Sequence, residues 1–203
     1  LILRKIHDDS ERGFLLQAVQ NPLKTEKVSK LLRTFAIPSI IAMLVSALYN
    51  IVDQVFIGWS IGALGNAATN VAFPLTTICI AIALMFGIGG ASAFNLTMGE
   101  GDAKRAAFYV GNAISMLVIC GVVLCIVAHL FLTPMLRFFG STQDILGYAR
   151  TYTAITAFGF PFLILATGGG HLIRADGSPR FTMTCNLVGA IINLILDPIF
   201  IFG

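Results

Sequence analysis

Charge is what this sequence is poorest in. Of its 203 residues, 13 are Lys or Arg and 10 are Asp or Glu, 11% in all, where a soluble domain carries about 25%. With 57% hydrophobic residues and a mean hydropathy of +0.87, that scarcity excludes an ordinary water-soluble core. The net charge of +3 is no sign of nucleic acid, because the basic residues flank apolar runs and form no patch. Metal-ligand spacing is absent too. Cys79, Cys120, Cys125 and Cys185 all lie inside apolar runs and read as packed thiols. Gly87, Gly89 and Gly90 are not followed by Gly-Lys-Ser/Thr, so they form no phosphate loop. No nucleophile–base pair or metal motif appears, so neither an enzyme nor a cofactor is expected. Leu1 to Gln20 has no continuous apolar region and no small-residue cleavage site, which argues against a signal peptide.

What is present is a series of apolar runs long enough to cross a bilayer. The expected fold is all-α, a polytopic membrane bundle of about five transmembrane helices. Residues 1–30 read as a polar N-terminal tail, with a break at Asn21-Pro22. Residues 31–203 form the bundle, with spans near 31–59, 67–98, 103–132, 143–173 and 181–202. Pro38 falls in the first turns of span one and marks a possible kink. Gly87 with Ala91, and Gly89 with Ala93, share helix faces and would let backbones approach closely. Asp102 is placed to cap span three. Span four is interrupted by Pro161 and by the run Gly168-Gly169-Gly170. His129 and His171 sit near span ends and read as interfacial packing.

Lys and Arg set the expected orientation. Lys24, Lys27, Lys30, Arg33, Lys104, Arg105, Arg174 and Arg180 flank one side, and only Arg137 and Arg150 the other. The rule that basic loops stay inside places the N-terminus in the cytoplasm.

Two acids, Asp53 and Asp197, lie deep within apolar runs. A carboxylate there is costly and by default functional, although a purely structural hydrogen-bonding role is the alternative. Asp53 is about 20 residues, roughly 30 Å of helix, beyond Arg33, and Asp197 is about 17 residues, roughly 26 Å, beyond Arg180. Spans one and five run the same way, so both acids belong to the outer half of the membrane at similar depth. Tyr49 lies one turn before Asp53, and Asn193 one turn before Asp197. A pocket between the two spans would then hold two carboxylates, an amide and a phenol. Two carboxylates in a low-dielectric site share a proton or bind a cation. Pro198 leaves the carbonyl of Leu194 without its usual donor, a further possible ligand.

Several stretches carry a resemblance to a known family. They are Phe35-Ala36-Ile37-Pro38, Tyr49-Asn50-Ile51-Val52-Asp53, Leu64-Gly65-Asn66-Ala67-Ala68, Arg174-Ala175-Asp176-Gly177-Ser178-Pro179 and Leu196-Asp197-Pro198-Ile199-Phe200-Ile201-Phe202-Gly203. Asn21 to Gly203 resembles the N-terminal lobe of bacterial multidrug and toxic compound extrusion (MATE) transporters, lacking its sixth helix. The resemblance implies a secondary antiporter of the cell (plasma or inner) membrane. Such proteins have two six-helix lobes and export cationic amphipathic compounds in exchange for H⁺ or Na⁺. It assigns ion coupling to Asp53, Asn193, Asp197 and Tyr49, with Na⁺ a candidate at Asp53, Asn193 and Asp197, and a bend to Pro38. The expected partners are the lipid bilayer, the small-molecule cationic substrates and the missing second lobe. Some members carry a glutamine one turn before the tyrosine, where this chain has Ser46. The chain is read as a fragment of the transporter. A lipid-linked precursor flippase of the same superfamily and a non-transporting membrane scaffold are the alternatives.

Overall fold

The computed structural model describes residues 27–202, so most of the expected N-terminal tail lies outside the described residues. It contains seven helices and no strand among the described residues. They are α1 (Val28–Ser60), α2 (Ala63–Gly99), α3 (Ala103–Leu130), α4 (Leu132–Phe138), α5 (Gln143–Ala157), α6 (Phe160–Ala175) and α7 (Pro179–Phe202). By length and composition α1, α2, α3 and α7 can each cross a membrane, and α5 with α6 make a fifth, broken span. The protein is a helical membrane bundle.

The corners are made by a few residues. Between α1 and α2 the connection is only Ile61-Gly62, shorter than the gap expected between spans 31–59 and 67–98. Gly62 has φ +79°, a conformation open to glycine at no steric cost, so two long helices reverse direction in one step. Asp102 caps α3 as expected, its carboxylate accepting from the Arg105 backbone N–H at 2.9 Å. Directly after α3 the chain forms the two-turn helix α4.

Span four is not one helix. Its halves α5 and α6 meet at a 56° bend, and the break falls at Phe158-Gly159 rather than at the glycine run. Pro161 has no N–H for the carbonyl of Ala157, and it sits in the first turn of α6, where a proline is tolerated. The chain tightens before it. Phe158 N–H donates to the carbonyl of Ile155 at 3.3 Å, and Gly159 N–H to that of Thr156 at 2.8 Å. That shift releases the carbonyl of Ala154, which a continuing α-helix would pair with Phe158. His129 Nε2, from the end of α3, lies 3.1 Å from it. With its proton on Nε2 the imidazole donates to that carbonyl and closes the end of α5, and its Nδ1 lies 2.8 Å from the carbonyl of Cys125. His129 also stacks at a tilt on Phe158, centroids 4.3 Å apart. His129 is thus a tie between helices, not a loose interfacial side chain.

The core lies among α2, α3, α5 and α6. Leu75, Cys79, Ala83, Leu117, Ile164 and Phe160 are its buried centre. Lipid tails are as apolar as leucine, so helices here gain little from hiding apolar surface and depend on close fit. Small residues supply that fit. A Cβ on Gly87 would stand 2.7 Å from the Cα of Gly168, and one on Gly121 2.7 Å from the Cα of Pro161. The expected pairing of Gly89 with Ala93 at a contact is corrected, since a Cβ on Gly89 would meet nothing within 4 Å. Its neighbour Gly90 makes the approach instead, against Ala113.

Helices α1 and α7 pack chiefly on each other. Residues near the start of both helices line one crevice, including Arg33 of α1 and Arg180 of α7. Asp53 and Asp197 approach each other farther along. The two helices are therefore parallel, as the depth argument required.

Candidate functional site

The parallel pair places Asp53 of α1 and Asp197 of α7 within electrostatic range of each other. Both are partly buried. Asp53 is about seven residues, roughly 10 Å of helix, before the end of α1. Around Asp197 the helical repeat sets the geometry: Asn193, one turn earlier, donates from Nδ2 to Asp197 Oδ1 at 3.0 Å. The other oxygens of that pair, Asn193 Oδ1 and Asp197 Oδ2, are buried and have no hydrogen-bond partner among the described residues. A buried polar atom without a partner costs about 1–3 kcal/mol. The site thus presents two unsatisfied oxygens and a second carboxylate with no basic side chain among them. That donor set suits a proton or a hard cation bound by oxygen, Na⁺ included. It offers nothing soft, and no group of three or more His, Cys, Asp or Glu gathers among the described residues. α7 continues as helix through Pro198.

Tyr49 lies on the face of α1 that carries Asp53 and is partly buried, but the bond Asp197 accepts comes from Asn193, not from this phenol. Pro38 does not belong to the acid cluster. It is buried within α1 about 15 residues, roughly 22 Å, from Asp53, and it lines the crevice at the other end of the pair. The helix runs on through it.

Tyr152 of α5 joins the site without having been expected. It lies within electrostatic range of Asp53, so a residue of a third helix stands near the acids. In the sequence Tyr152 is one aromatic among many, about 100 residues from Asp53, and no local pattern marks it. A second polar group on α1 has a sequence signal in hindsight, Asn50 and Gln54 one turn apart. Gln54 Oε1 accepts from Thr69 Oγ1 of α2 at 3.2 Å, and the buried Asn66 Oδ1 close by has no partner among the described residues. Asn50, Gln54, Trp59 and Asn66 edge an open cleft of about 560 Å³.

Comparison with known proteins agrees with this architecture. The chain is 28% identical over 181 residues to a FAD transporter of Shewanella oneidensis, covering 89% of this chain and 40% of that protein. It is 27% identical over 176 residues to the multidrug export protein MepA of Staphylococcus haemolyticus, covering 87% of this chain and 39% of that one. Its fold superposes on the MATE multidrug transporter DinF-BH with a TM-score of 0.83 and 38% identity, covering 88% of this chain and 40% of that chain. The outward-facing structure of a multidrug resistance MATE family transporter of the MOP superfamily gives a TM-score of 0.77 at 27% identity, covering 83% of this chain and 37% of that one. The chain spans about two fifths of the length of the relatives it matches. The MatE family pattern matches residues 38–199, and with the helical bundle and its acid-bearing helix pair this shows that the chain belongs to the MatE family of membrane transporters.

Proposed function

We propose that this chain forms the ion-coupling lobe of a secondary antiporter that exports cationic amphipathic compounds in exchange for H⁺ or Na⁺. The observation that carries the reading is the pair of unpartnered oxygens, Asn193 Oδ1 and Asp197 Oδ2, beside Asp53. A cation or a proton arriving there satisfies acceptors that no group among the described residues satisfies and relieves the repulsion between the carboxylates. Asp53 and Asp197 take up the coupling ion, Asn193 orients Asp197, and Tyr49 and Tyr152 border the site. When Na⁺ is the ion, its ligands come from Asp53, Asn193 and Asp197. The coupling ion needs no cofactor.

Binding drives transport only if the ion prefers one shape of the lobe over another. Pro38 is the bend point proposed for that change, because the carbonyl of Thr34 has no backbone donor there. The substrate path requires a second lobe facing this one, supplied by the remainder of a full-length transporter, and the names of MepA and DinF-BH support drug export. The proposed setting is the cell membrane, with the start of α1 on the cytoplasmic side, supported by the flanking Lys and Arg.

The test is made in the full-length transporter. Asp53→Asn and Asp197→Asn should each reduce ion-driven export to the empty-vector level while membrane insertion stays normal. Asn keeps the volume and a hydrogen bond but takes up no proton. Export that remains ion-driven in both variants rejects the site, and loss of protein from the membrane assigns the acids to folding.

A further inference from the structure

At the end of the α1–α7 pair opposite the acids is a crevice of about 480 Å³. Its lining divides into two chemistries. Lys30, Arg33 and Arg180, with Ser29 and Thr34, make one part, and Ile37, Ile41 and Met183 the other. No acidic residue lines it among the described residues. Arg33 and Arg180 come from different helices and are both exposed, so the cations converge through tertiary packing, not through neighbouring positions in the chain. The helix starts add to the field. α1 and α7 are parallel, neither has an acidic residue in its first turn, and α1 has no side-chain cap. Each adds a positive dipole end at this side. The apolar part runs onto the flank of α1, where Ile37, Met43 and Leu44 are exposed in this chain.

A loop that only orients the protein in the membrane needs cations, but it needs no cavity and no adjoining apolar wall. An anion with an alkyl tail needs all three. We infer that the α1–α7 crevice is a binding site for an anionic phospholipid, with the phosphate held by Arg33 and Arg180 and an acyl chain laid along Ile37, Ile41 and Met183. The site is separate from the acid cluster and rests only on the chain spanning a membrane.

Its test uses the purified full-length transporter in detergent, titrated with short-chain phosphatidylglycerol and read by native mass spectrometry. Arg33→Gln with Arg180→Gln should weaken binding roughly thirtyfold, the effect of two basic side chains at a lipid surface. Lys104→Gln with Arg105→Gln removes the same charge from the α2–α3 corner and should leave binding unchanged. Phosphatidylcholine should bind far more weakly, and inorganic phosphate should not displace the lipid. Equal losses in the two double variants, or no loss in the first, overturn the inference. So does phosphatidylcholine binding as tightly as phosphatidylglycerol. Displacement by inorganic phosphate at equal concentration assigns the crevice to soluble phosphates and overturns the lipid reading. Asp53→Asn should leave binding unchanged, so failure here and failure of the coupling site are read separately.

Discussion

The bundle around α2 and α3 and the α1–α7 pair are both built from helices apolar enough to cross a membrane, yet they are packed differently. In the most apolar window of α2 28% of residues are buried, and in that of α3 22%, against 12% for α1 and 6% for α7. The bundle brings backbone against backbone, at Gly87 with Gly168 and at Gly121 with Pro161. The pair touches mainly itself, and it carries the intramembrane acids. Dense fit and the two acids are thus separated in space. A tightly interdigitated region responds to small changes as a unit, and within the described residues the pair packs only lightly on that core.

The sharpest break of the comparison is a side chain placed in the bundle. Gly87→Val drives its Cβ into the backbone of Gly168, where no flexible side chain can yield, and should cost more than about 3 kcal/mol. Little folded protein should survive detergent extraction, as read by size-exclusion chromatography. Gly89→Val, two residues on, meets open space and should extract like the parent. Equal behaviour of the two variants would mean that the dense packing does not hold the bundle.

On the pair the expectation inverts: function changes and stability does not. Pro38→Ala restores a donor for the Thr34 carbonyl and stiffens α1. In a full-length transporter it should slow ion-driven export about tenfold, equivalent to about 1.4 kcal/mol, with an unchanged melting profile. A melting shift without a transport defect would make Pro38 a packing residue.

The smallest effect is expected at the junction inside the bundle. His129→Leu keeps the apolar bulk and leaves the Ala154 carbonyl unpaired. Interhelical polar contacts in membranes are worth about 0.6 kcal/mol on average and about 1.7 at most, so thermal unfolding in detergent should show a small downward shift. No shift would mean that Phe158 stacking alone holds the elbow.

The sequence carried the helical spans and the two acids for a physical reason. Long apolar runs have one solution in lipid, and an uncompensated carboxylate within them stands out against its neighbours. The approach of Asp53 to Asp197 followed from counting rise per residue along two helices of the same direction. Other features depend on partners that one chain segment does not name. Gly89 and Gly90 are equivalent as residues, and only the position of Ala113 decides which one is at a contact. Pro161 was visible, but the break falls two residues earlier, because a proline is accommodated in the first turn of the following helix. Tyr152 reaches Asp53 only through the packing of α5, and no spacing announces it.

The elbow at Phe158-Gly159 has one more consequence. Its released carbonyl is held by a ring nitrogen instead of a backbone amide, so the angle between α5 and α6 is tied to the bonding of a single imidazole. Straightening the span would return the carbonyl of Ala154 to Phe158 and leave His129 Nε2 without it. The protein therefore contains its own gauge of bending. The ring nitrogen-15 resonance of His129 would track the angle of this span in the membrane, with no attached probe.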